Sequence, residues 1–176
     1  MEVRRVVTGH TGGKAVFASD TVMPGATVDL IPGMEYARLW GVDERPTYPD
    51  DGSAPEAHAY FPPRDGARVV IMTFPPDGTP PPSDLDGAAA FKQFEEVAPG
   101  LMEHMDRSSP GMHTTDTIDF GYVISGEIVL ELDDGAEKTL KAGDLVVQNG
   151  TRHAWRNRTN EPVMMLFCLI GANRAG

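Results

Sequence analysis

Apolar and polar residues alternate with a period of two along much of this chain, in runs of five to eight residues broken by glycine, proline, aspartate and asparagine. Such alternation puts successive side chains on opposite faces of an extended backbone. Val3–Thr8 and Lys14–Ala18 flank the turn-forming His10-Thr11-Gly12-Gly13 and predict a hairpin. Further strands are expected at Tyr36–Trp40 and Ala67–Phe74, the second closed by a proline-rich break from Pro75 to Pro82. Asp43 to Pro63 carries prolines, acids and glycine without periodicity and reads as a surface loop. From residue 111 onward strand follows strand. Gly111–Asp119, Tyr122–Ile124, Ile128–Leu132, Lys138–Leu140, Leu145–Gln148, His153–Asn157 and Val163–Ile170 are separated by turns, with a bulge expected at Gly121 and a hairpin at Asp133-Asp134-Gly135.

One region departs from period two. Phe91, Phe94 and Val97 fall on one helical face behind a capping signal at Ser83 and Asp86, until Pro99 and Gly100 interrupt. A second short turn carries Leu101, Met102 and Met105, with His104 expected at the surface. Strands recurring every 8–12 residues, with one or two short helices, predict an all-β sandwich or barrel.

Composition supports that reading and narrows the partners. The 19 glycines and 15 prolines among 176 residues disfavour helix. A formal net charge of −11 argues against nucleic acid or an anionic membrane as partner. The longest apolar run, Val163 to Ile170, is far short of the roughly 20 residues a membrane-spanning helix needs. Cys168 is the only cysteine, so no internal disulfide forms; with no secretory h-region in Met1–His10, a cytoplasmic location is expected.

The candidate chemistry lies between Met112 and Asn157. Residues two apart on a strand share a face, so His113, Thr115, Thr117 and Asp119 project together, as do His153, Trp155 and Asn157. Such a polar face is either wet surface or the lining of a cavity. Two imidazoles and one carboxylate from separate strands make a possible three-ligand metal site.

These residues resemble the two motifs of the cupin superfamily, G-x5-H-x-H-x3,4-E-x6-G and G-x5-P-x-G-x2-H-x3-N. His113 falls on the first histidine, Asp119 on the glutamate and Gly126 on the closing glycine. Gly143, Gly150, His153 and Asn157 fall on the second motif. Three positions depart: Thr115 replaces the second histidine, Asp119 the glutamate, and Gln148-Asn149-Gly150 the P-x-G. The resemblance implies a double-stranded β-helix, or jelly roll, with residues 109–172 as its core and residues 1–108 packing on it as extra strands, a loop and short helix, in one domain overall. It implies His113, Asp119 and His153 as catalytic residues and as ligands for Fe, Mn, Ni or Zn; a metal-free acid/base site built from the same groups stands beside that reading. Thr115, Tyr122, Gln148, Trp40 and Arg38 are candidate substrate contacts. Expected partners are a small-molecule substrate and, through the Val3–Ala18 hairpin, a second copy in a homodimer. The expected function is proton transfer or elimination (isomerase, dehydratase or decarboxylase) on a carbonyl- or carboxylate-bearing compound. An Fe(II)-dependent dioxygenase and a non-catalytic ligand binder are the alternatives.

Overall fold

The computed structural model describes residues 1–175. Its eleven strands are β1 (Glu2–Thr11), β2 (Lys14–Pro24), β3 (Ala26–Thr27), β4 (Glu35–Val42), β5 (Ala67–Phe74), β6 (Thr117–Ser125), β7 (Glu127–Glu131), β8 (Glu137–Lys141), β9 (Leu145–Asn149), β10 (Ala154–Arg156) and β11 (Val163–Gly171). One α-helix, α1 (Gly87–Val97), and two 3₁₀ turns complete the elements. The architecture is the all-β barrel that the strand spacing predicts.

A six-stranded sheet in the order β3-β4-β5-β11-β6-β9 and a three-stranded sheet β10-β7-β8 form the two layers. Strand β11 pairs antiparallel with both β5 and β6, so residues on either side of position 108 share one sheet. The layers meet through aromatic rings. Trp155 of β10 lies 5.6 Å from Phe167 of β11 and 6.4 Å from Phe74 of β5, centroid to centroid. On β11 the parity is clean: Val163, Met165, Phe167 and Leu169 are buried, while the residues between them are less so. Burying such side chains is the main stabilising term, about 1.5–3 kcal/mol for each large one.

Strands β1 and β2 form a separate two-stranded hairpin, longer than the sequence pattern predicts, with most of its apolar side chains exposed. Helix α1 begins where Asp86 caps it, accepting from the amides of Ala88 and Ala89. Its Phe94 packs edge-on against Tyr36 of β4 at 6.1 Å. No helix among the described residues is long and apolar enough to cross a membrane.

Two local expectations are corrected. Gly121 makes no bulge: β6 runs through it, and a Cβ there would meet Val146 at 3.0 Å and Phe167 at 3.1 Å. The irregularity in that pairing lies at Met164/Met165 instead. The segment from Asp43 to Pro63 has no strand, as expected, yet it is not merely surface. It buries Tyr60, and the Tyr60 amide donates to the Pro99 carbonyl at 2.8 Å.

Candidate functional site

Between the layers lies a cavity of about 360 Å³, in the size range of sites for small organic ligands. His113, Asp119, Gln148 and His153 line one wall. The opposite character comes from Tyr36, Tyr60, Phe61, Met72, Phe94 and Leu101, drawn from β4, β5, α1 and the connecting segments.

The histidines meet through the backbone. His113 and His153 form an antiparallel bridge, each amide donating to the other's carbonyl at 2.9 and 3.0 Å, and Met105 bridges His113 from the other side. Flanking arginines staple the His153 segment in place. Arg152 pairs with Asp106 at 2.6 Å and Asp133 at 2.8 Å; Arg156 pairs with Glu131 at 2.6 Å and donates to the Pro110 carbonyl at 2.8 Å. The two imidazoles consequently lie 4.2 Å apart, centroid to centroid.

Their tautomers follow from their partners. Nδ1 of His113 lies 3.1 Å from the Gly111 carbonyl and Nδ1 of His153 lies 2.9 Å from the Thr151 carbonyl. A carbonyl oxygen only accepts, so each Nδ1 carries the hydrogen and each Nε2 keeps its lone pair. Burial lowers both pKa values. That of His153 falls to about 4, with the neighbouring His113 adding to the effect, so both rings are neutral at pH 7.

Asp119 sits on β6 between Gln148 of β9 and Leu169 of β11. Burial raises its pKa to about 6, an effect the Thr117 hydroxyl partly offsets. Its Oδ1 is buried and has no hydrogen-bond partner among the described residues. An orphaned buried carboxylate oxygen costs free energy unless a ligand supplies the missing donor. Burial also raises the Tyr60 phenol well above its usual range, with the Tyr36 phenol and the Asp119 charge contributing.

Other expected residues are placed differently. Thr115 is buried but turns to Thr117, hydroxyl to hydroxyl at 2.7 Å. Tyr122 is 41% exposed on the outer face of β6, because it is an odd number of residues from the inward-facing Asp119. Arg38 and Trp40 line a second, smaller pocket away from the histidines, next to an irregularity in the β4–β5 pairing between them. Asn157 reaches the main cavity but is spent on structure, donating to the Phe74 and Glu161 carbonyls and accepting from Thr159. Gln148 is in the cavity, its amide nitrogen held by Thr151. The sequence reading passed over Tyr60, Phe61 and Tyr36; the only sign of them was aromatics amid loop residues or next to a strand start.

The proposed three-residue metal set does not fit. Among the described residues no three His, Cys, Asp or Glu side chains group closely enough to hold an ion. The imidazole pair alone has the usual arrangement of ligating histidines, with Nδ1 on a backbone carbonyl and Nε2 open. Asp119 does not complete a three-residue group with it.

A solved structure of similar shape is a cupin 2 conserved barrel domain protein from Salinispora arenicola, 16% identical, with a TM-score of 0.42 over 83% of this chain and 82% of that one. Phomopsin biosynthesis cluster protein C′ of Diaporthe leptostromiformis is 43% identical over 82 residues, 47% of this chain and 39% of that protein. The cupin-domain-containing oxidoreductase fogC of Aspergillus ruber is 36% identical over 91 residues, 50% of this chain and 40% of that protein. The chain thus matches well under half the length of these curated relatives. Residues 97–169, which include both imidazoles and Asp119, match the family model of the cupin domain. Over that stretch the chain carries a cupin domain.

Proposed function

We propose that this protein is a small-molecule enzyme in which Asp119 moves a proton to or from a carbonyl- or carboxylate-bearing substrate held in the barrel cavity. The observation that carries this reading is the unpartnered Oδ1 of Asp119, buried in an apolar cavity with a pKa of about 6. A carboxylate tuned toward the working pH is an effective general base, because it is ionised yet binds a proton strongly. The neutral imidazoles offer Nε2 as acceptors, orienting a hydroxyl or enol of the substrate. Tyr36, Tyr60 and Phe61 exclude water and accommodate an aromatic or aliphatic body. Isomerisation, dehydration and decarboxylation all use such a step. The similarity to proteins named for biosynthesis clusters agrees with a substrate drawn from small-molecule biosynthesis.

The test is exchange. Incubation in D₂O with hydroxy acids, β-keto acids and phenolic polyketide-like compounds, with and without added divalent metal, should incorporate deuterium next to the carbonyl of a substrate. Asp119→Asn should abolish the incorporation. Tight reversible binding of these compounds by the intact protein, with neither exchange nor turnover, would overturn the reading.

A second reading is favoured by the open Nε2 pair and by the relatives named cupin-domain-containing oxidoreductases. In it His113 and His153 hold an iron whose remaining positions are filled by substrate or water rather than by Asp119. Anaerobic iron loading followed by oxygen uptake with the same compounds tests it.

A further inference from the structure

A second pocket of about 180 Å³ lies outside the barrel cavity, where the β1–β2 hairpin meets β4 and the loop before Tyr60. Three arginines line it, Arg5 of β1, Arg38 of β4 and Arg68 of β5, in a chain whose net charge is −11. One carboxylate, Asp43, faces them by pairing with Arg68. In the adjoining loop, Glu56 and His58 pair with each other in solvent.

The three guanidinium groups are not equally occupied. Arg68 is the most fully used: it donates to the carbonyls of Ala59, Val42 and Ala67 at 3.0, 2.7 and 2.9 Å and to Asp43. Arg38 spends Nη2 on the carbonyls of Ala57 and Ala59, at 3.1 and 3.2 Å. Arg5 spends Nη1 on the Leu39 carbonyl at 2.9 Å and lies over the Trp40 ring, 5.4 Å from its centroid. The Nε of Arg5 is buried without a hydrogen-bond partner among the described residues. Nε and Nη2 form the edge of a guanidinium that grips an oxyanion with two parallel hydrogen bonds. A buried cationic donor left bare is costly, and in the same pocket Arg38 and Arg68 repel each other. A bound anion would relieve both.

We propose that this pocket is a binding site for a small oxyanion, the carboxylate or phosphate of a compact molecule, gripped by the Nε edge of Arg5 and balanced by Arg38. Arg68 and Asp43 serve as its rigid floor. The site is independent of the barrel cavity, and its occupancy does not depend on the reaction proposed there.

The experiment is a titration of the full chain at low ionic strength, following arginine Nε–H resonances. The probes are sodium phosphate, sodium acetate and, at matched ionic strength, sodium chloride. A saturable shift of the Arg5 resonance with phosphate identifies a phosphoryl ligand, and one with acetate a carboxylate. Chloride should leave it unmoved. By calorimetry, Arg5→Gln should weaken binding of the active probe at least tenfold, whereas Asp119→Asn should leave it unchanged. No saturable shift with either probe, an equal response to chloride, undiminished binding by Arg5→Gln, or loss of binding in Asp119→Asn would each overturn the proposal. The wild-type spectrum decides the matter even where Arg5→Gln does not fold.

Discussion

The two walls of the barrel cavity come from different stretches of chain and do different work. Residues 111–157 supply the titratable wall, with His113, Asp119, Gln148 and His153 held by regular pairing and by the arginine staples. Residues 30–105 supply an apolar wall from strand starts, a loop and one helix. The second wall is largely apolar, yet it sets the chemistry of the first. It removes the water that would otherwise hold Asp119 at an ordinary carboxylate pKa and let the imidazoles protonate. Reactivity in this site is thus a property of the pair of walls.

The largest effect is expected from removing Asp119, the group proposed to carry the proton. Asp119→Asn should lower turnover by about 10²–10⁴-fold, the usual range for general acid–base groups. It should do so without unfolding the protein, because the amide fills the same space and has no charge to desolvate. Steady-state kinetics beside a thermal melt check both halves.

Next in size is an attack on the apolar wall. Phe94 is 2% exposed and packs on Tyr36. Phe94→Ala should cost about 3–5 kcal/mol of stability, from lost burial plus the cavity left behind. Denaturant unfolding measures it. If the walls are coupled as argued, the acidic limb of the rate profile should also move below about pH 6, as water reaches Asp119.

The pH dependence of stability separates Asp119 from His153 within the titratable wall by sign. Asp119 has a folded pKa of about 6 against an ordinary 3.8, so its contribution is present below pH 3.8 and is lost as pH rises through 6. His153 has a folded pKa of about 4 against 6.5, so its contribution is present above pH 6.5 and is lost as pH falls through 4. Each shift corresponds to about 3 kcal/mol, and over pH 4–6 the two largely cancel. Relative to wild type, Asp119→Asn should gain stability as pH rises across this window, and His153→Gln should gain it as pH falls. Chemical denaturation at several pH values tests the pair; parallel curves for all three proteins would refute the buried-charge account.

The smallest effect is expected at Tyr122. Since it lies on the outer face of β6, Tyr122→Ser should change turnover less than about twofold, within the normal range for surface positions. A large loss of activity would mean that the outer face contributes to the site.

Much of this was legible because strands obey a local rule. Alternation found β5 at its full extent, placed β11 within a residue, and grouped His113 with Asp119 and His153 with Trp155 on shared faces, which the structure turns into the cavity. The same rule, carried three residues past Asp119, also turns Tyr122 outward. Thr115 illustrates its limit: parity makes it inward, but whether an inward hydroxyl meets a ligand or the hydroxyl of Thr117 depends on neighbours. Tyr60 had no local sign beyond being an aromatic amid loop residues, because a loop residue is buried only by what lies across from it, here the Pro99 region and β4.

The amino-acid order alone therefore determined the β class, the approximate place of most strands, which residues of a strand share a face and the chemistry available between Met112 and Asn157. Those depend on backbone pleat and residue type, which are local. Tertiary structure decided which inward groups share a space, how close they come and how dry that space is. The failure of Asp119 to complete a three-residue group with the imidazole pair, its raised pKa and the unused edge of Arg5 all arise from residues distant along the chain, and burial and electrostatics are sums over those neighbours.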